Sequence, residues 1–152
     1  MKKVFISVFF VLCPVLILSA QSGIFGSFVV GKEGLPAEEL IKKEYRGLYI
    51  VKTSGGVRTY SLSLDSNTTA EIKISSRIES VAVTYNRVSL KDYADILNQV
   101  YAVFGEPYYS EFSDGCFRFL WYDQRTEVTC VTEVSITSGR DFAVEVLSRE
   151  RK

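Results

Sequence analysis

Residues 47–74 read GLYIVKTSGGVRTYSLSLDSNTTAEIKI, and their alternation decides the fold class. Gly47 to Lys52 is apolar and β-branched, and Thr53-Ser54-Gly55-Gly56 then supplies a turn. In Val57 to Leu64, Tyr60, Leu62 and Leu64 share one face while Ser61 and Ser63 take the other. After the Asp65-Ser66-Asn67 turn, Ala70, Ile72 and Ile74 alternate with Thr69, Glu71 and Lys73, and Val81 to Tyr85 adds a fourth run. A period of two, broken by Gly and Asx turns, indicates antiparallel strands with one face packed and one wet.

The pattern then changes. From Leu90 to Phe104, the residues Tyr93, Ile96, Leu97, Val100, Tyr101 and Phe104 recur at three- and four-residue steps. That spacing puts them on one stripe of an amphipathic helix. Ser89 is its N-cap, Gly105 its left-handed stop, and Pro107 bars continuation. Downstream, three further strands are expected: Cys116 to Tyr122, Thr126 to Ile136, and Asp141 to Leu147. Upstream, Pro36 opens a short helix over Ala37 to Glu44. The expected fold is therefore α+β: an antiparallel sheet of about six or seven strands packed by one long amphipathic helix, in the order short α, ββββ, α, βββ.

The chain begins MKKVFISVFFVLCPVLILSA. Lys2 and Lys3 precede the apolar run Val4 to Leu18, and Ser19 and Ala20 close it, the layout of a secretory signal peptide over residues 1–20. The run is shorter than the roughly 20 residues of a membrane span, and Pro14 interrupts it. Export to a bacterial periplasm or envelope is expected, with membrane contact only through this segment if it stays attached. Residues 21–34 read as a flexible lead-in, 35–148 as a single domain, and 149–152 as a charged tail.

Composition narrows the chemistry. Lys plus Arg number 18 and Asp plus Glu 18, without a basic cluster, which argues against nucleic acid as a partner. Histidine is absent, which removes histidine-assisted hydrolysis and the common histidine-ligated zinc sites. No cofactor is expected. Of the three cysteines, Cys13 belongs to the leader, leaving Cys116 and Cys130. In an oxidising compartment such a pair reads as a disulfide closing a loop of about 15 residues, worth on the order of 3 kcal/mol. A hairpin turning at Asp123-Gln124 reads the other way. It sets Phe117 opposite Cys130 and puts the two thiols on opposite faces.

The candidate binding residues are aromatic. Tyr108, Tyr109 and Phe112 fall in a loop after the long helix, and Tyr122 sits at a hairpin tip, outside the periodic core pattern. Loop aromatics of this kind either cover the end of the sheet or serve as stacking or docking groups. Glu106, Glu111, Asp114 and Asp123 lie nearby and would be the acids of a carboxylate-based hydrolase. The leading expectation is an exported, non-catalytic binding or assembly domain whose partner is an envelope protein or a small ligand. In Gly47 to Ile74, a Gly-x-Tyr opening a meander resembles the start of lipocalin barrels, and that resemblance implies a carrier of a small apolar ligand. The long helix after four strands departs from the lipocalin pattern.

Overall fold

The computed structural model describes residues 23–113, 116–123, 129–137 and 142–151. Residues 1–20, which the sequence leads one to expect as a signal peptide, the 124–128 hairpin connection and the 138–141 connection lie outside the described residues. A helical turn over 23–27 (α1) leads to α2 (Gly34–Glu44). Four strands follow: β1 (Tyr49–Ser54), β2 (Val57–Ser63), β3 (Thr68–Ile74) and β4 (Ile78–Tyr85). After α3 (Leu90–Phe104) come β5 (Tyr109–Ser113), β6 (Cys116–Asp123), β7 (Cys130–Thr137) and β8 (Ala143–Glu150). All eight strands form one antiparallel sheet in the order β1-β2-β3-β4-β8-β7-β6-β5.

The first four strands follow from the alternation. Gly55 and Gly56 both take positive φ (58° and 81°), giving the two-residue turn that sets Ser54 opposite Val57. On the packed face stand Tyr60 and Leu62, then Ala70, Ile72 and Ile74, then Val81, Val83 and Tyr85, all buried. Cys130, Thr132, Val134, Val144, Val146 and Trp121 continue that face through the second half.

This architecture corrects the expected one. The sheet has eight strands, not six or seven, because Tyr109–Ser113, read as a loop, pairs with β6 as its edge strand. Nor is one long amphipathic helix what packs it. Helix α3 has the bounds its stripe implies, yet only Ile96 and Val100 are fully buried. It meets the sheet through its last turn, where Tyr101 packs edge-on against Trp121 (5.7 Å) and Trp121 Nε1 donates to Gly105 O (2.8 Å). Much of the remaining cover comes from the N-terminal segment expected to be flexible. Ile24, Phe25, Phe28 and Val30 are buried, as are Ala37 and Ile41 of α2. At the other end, Arg149 and Glu150 belong to β8, and Arg151 N donates to Thr129 O (2.8 Å), so most of the expected tail is strand.

No repeat is visible in the sequence, but the topology contains one. Each half is a helix followed by a four-stranded meander, and the halves join through their last strands. β4 and β8 are equally long, and the fifth residue of one, Ala82, faces the fifth of the other, Leu147. The two meanders are thus related by a pseudo-twofold axis passing between Ala82 and Leu147.

One close approach fixes where α2 begins. A Cβ on Gly34 would collide with Ile74 Cγ2 and come within 3.0 Å of Ser75 O, so the helix can dock there only with glycine.

Candidate functional site

The aromatic residues singled out in the sequence gather at the β5 edge. Hairpin pairing places Tyr109 opposite Leu120 and Phe112 opposite Phe117, and Tyr108 N donates to Leu120 O (2.8 Å). Tyr108, Tyr109 and Phe112 are 76%, 50% and 63% exposed, and Tyr122 is 36% exposed. Opposed residues share a face, so Tyr109 and Glu111 lie on the outer face with Leu120 and Arg118. Phe112, two residues beyond the Ser110–Phe119 pair, lies on the packed face, at its uncovered end.

Two contacts organise this edge. The rings of Tyr108 and Tyr122 meet edge-on at 4.9 Å, and the Arg151 guanidinium lies 5.2 Å from the centre of Tyr122. Beside them, the Tyr109 hydroxyl donates to Glu111 Oε2 (3.1 Å). Arg118 Nη1 donates to Glu111 Oε1 (2.7 Å), and Arg118 Nε pairs with Glu133 Oε1 at 2.5 Å. The bond to Glu111 holds the Tyr109 phenol above its ordinary pKa. Aromatic rings therefore stand beside an acid–arginine ladder across β5, β6 and β7, in which one guanidinium serves two carboxylates.

The other expected residues fare differently. Glu111 is engaged by Arg118 and Tyr109 and does not face another acid across a cleft. Glu106 is exposed, and Asp114 lies outside the described residues. Among the described residues, no group of three or more acids or cysteines is placed to hold a metal. Cys130 is buried, and its Sγ donates to Val30 O (3.7 Å). It stands opposite Asp123, the last residue of β6, whereas Cys116 is the first. The β6–β7 connection is longer than the two-residue turn expected, which moves the register and sets the cysteines at opposite ends of the hairpin.

Sequence reading missed a buried polar trio. Glu38 of α2 is buried, with Arg58 Nη2 of β2 at 2.7 Å from Oε1 as an ion pair that lacks hydrogen-bond alignment. The Tyr60 hydroxyl also hydrogen-bonds its carboxylate. The signal was present: Arg58 falls on the same parity as Tyr60 and Leu62, placing a charge on a packed face. This trio pins α2 to the sheet.

Two of the hollows lie against helix α3. An open cleft of about 540 Å³ lies where the β2–β3 turn meets the start of α3, lined in part by Asp65, Asn67, Arg87, Lys91 and Asp95. Within it Lys91 Nζ pairs with Asp95 Oδ2 (2.8 Å), and Asp65 Oδ1 accepts from Asn67 N (2.7 Å). The apolar hollow between α1, β4 and α3 measures about 10 Å³, room for one water at most. Among the described residues β1 and β5 each pair on one side only, so the sheet is open. No helix among the described residues is long and apolar enough to cross a membrane. No family model, curated protein or solved structure matches the chain.

Proposed function

We propose that this chain is an exported, non-catalytic binding or assembly domain that recognises an envelope partner through its β5 edge. The observation that supports this reading is the grouping of Tyr108, Tyr109, Phe112 and Tyr122, all solvent-exposed, on one edge of a rigid sheet. Tyrosine and arginine are among the side chains that most often anchor an interface, tyrosine because it covers large area with only two side-chain torsions to fix. Here the Tyr108–Tyr122 contact and Arg151 hold part of that area in place before any partner arrives. Export is supported by the basic, apolar and small-residue succession of residues 1–20.

The test is a Tyr108→Ser, Tyr109→Ser double substitution in tagged protein produced in its own host. Neither side chain is buried, so the melting temperature should stay within a few degrees of the parent, while partner recovery from envelope extracts should be lost. Undiminished recovery would reject the β5 edge as the site.

A further inference from the structure

The opposite edge of the sheet carries a second feature. Ile50 and Val51 of β1, and Leu48 just before it, are 68%, 45% and 50% exposed, apolar on both faces of a strand that among the described residues pairs only with β2. Ser63 N donates to Leu48 O (2.8 Å), so even-numbered residues of β1 turn their backbone groups toward β2. By the alternation of antiparallel ladders, the N–H and C=O of Tyr49, Val51 and Thr53 point outward. Soluble proteins blunt such edges with charge, proline, bulges or short strands. β1 has only Lys52.

We infer that β1 is a self-association edge: two copies of this chain pair β1 antiparallel to β1 about a twofold axis at Val51, and the sheet runs on through the dimer. Three observations select a second copy as the occupant. First, this register pairs every outward backbone group within β1: Val51 with Val51 of the other copy, and Tyr49 with Thr53. Second, it is complementary in charge and polarity. Lys52 falls beside Ile50 of the other copy on the outer face, where its methylene stem lies along apolar surface, and no like charges are opposed. The β5 edge fails this test, since pairing about its midpoint would set Glu111 against Glu111. A β1–β5 contact gains no ion pair either, because Glu111 is already held by Arg118 and Tyr109. Third, the chain already joins two four-stranded meanders in this manner, through β4 and β8 about Ala82 and Leu147. A twofold contact of this kind closes as a dimer.

Sedimentation velocity and native mass spectrometry of the full chain, as its host produces it, test the inference. A concentration-dependent dimer is expected, and a monomer at every concentration overturns it, as does a mass that keeps growing with concentration. Val51→Pro removes an N–H aimed at the other copy while leaving the β1–β2 ladder intact. Ile50→Lys places a second cation beside Lys52 on the outer face. Each should abolish the dimer, and a dimer that survives Ile50→Lys overturns the proposal even if Val51→Pro fails to fold. Register is read by cysteine cross-linking with peptide mapping: Val51→Cys should link to itself between copies, and Thr53→Cys should not. Linking at Thr53, or a β1 edge that captures a different chain while the protein stays monomeric, would also overturn it. The β5 reading is untouched by any of these results, because it concerns the far edge.

Discussion

Tyr85 stands at the end of β4, buried, with its phenol beside the β2–β3 turn. Burial pushes its pKa up to about 12, and the charge of Asp65 adds to the effect. The sign follows from linkage. Below pH 10 the hydroxyl keeps its proton folded or unfolded, so its contribution to stability is intact. Between 10 and about 12 the unfolded chain ionises while the folded chain resists, and stability falls. At 1.36 kcal/mol per pKa unit the loss is on the order of 2–3 kcal/mol by pH 12. The stability of the parent relative to Tyr85→Phe, read from urea midpoints between pH 9 and 12, should therefore fall as pH rises. A constant gap would rule out the cause. Asp65 itself is held low. Its partial burial opposes ionisation, but bonds from Asn67 N and from Thr68 outweigh that penalty.

Helix α3 shows how an element can be fully specified locally and still have its packing set elsewhere. Ser89 and Asp92 form a reciprocal cap: Asp92 N donates to Ser89 Oγ (3.2 Å), and Ser89 N donates to Asp92 Oδ2 (3.1 Å). Gly105, at φ 78°, stops the helix and returns its N–H to Tyr101 O (2.8 Å). Ser89→Ala should cost about 1 kcal/mol in urea unfolding at neutral pH. The Ser89 hydroxyl, then its backbone N–H, holds the Asp92 carboxyl below its ordinary pKa. That shift stabilises the fold above the unfolded value and is lost as pH falls through the lowered one. The Ser89→Ala deficit should narrow over that acid range; a deficit independent of pH would show that the two side chains act separately. β5 is the contrary case. Its five residues, YSEFS, have no clean alternation, so nothing local marks them as strand. Pairing with β6, itself strongly patterned, supplies what the segment lacks.

One core spans both halves of the molecule, because the β4–β8 seam buries Val81 and Val83 against Val144 and Val146. Truncation in one half should therefore be felt in the other. Ile72→Ala, in the centre of β3, should destabilise the chain by about 2–5 kcal/mol. Trp121, the only tryptophan, lies in the second half and reports on it. Its fluorescence and the far-ultraviolet circular dichroism should shift to lower urea together. An unchanged Trp121 transition would mean that the meanders unfold independently.

The features already legible in the residue order are short-range ones. The period-two runs marked β2, β3 and β4, the Gly55-Gly56 turn set a hairpin, and Ser89 with Gly105 bounded α3. These depend on local backbone preference and on which side of a strand or helix is apolar. The aromatic grouping was legible for a related reason, since Tyr108, Tyr109, Phe112 and Tyr122 fell outside the core pattern, and they are exposed in the fold. Tertiary structure alone decided the rest. Gly23 to Val30 is too glycine-rich to announce a helix, yet Ile24, Phe25 and Phe28 become core because the sheet offers them apolar surface to bury. Long-range pairing made a strand of β5, set the cysteines at opposite ends of β6 and β7, and joined the halves at β4 and β8. Such contacts depend on partners far away in the chain, whose positions no local window of residues contains.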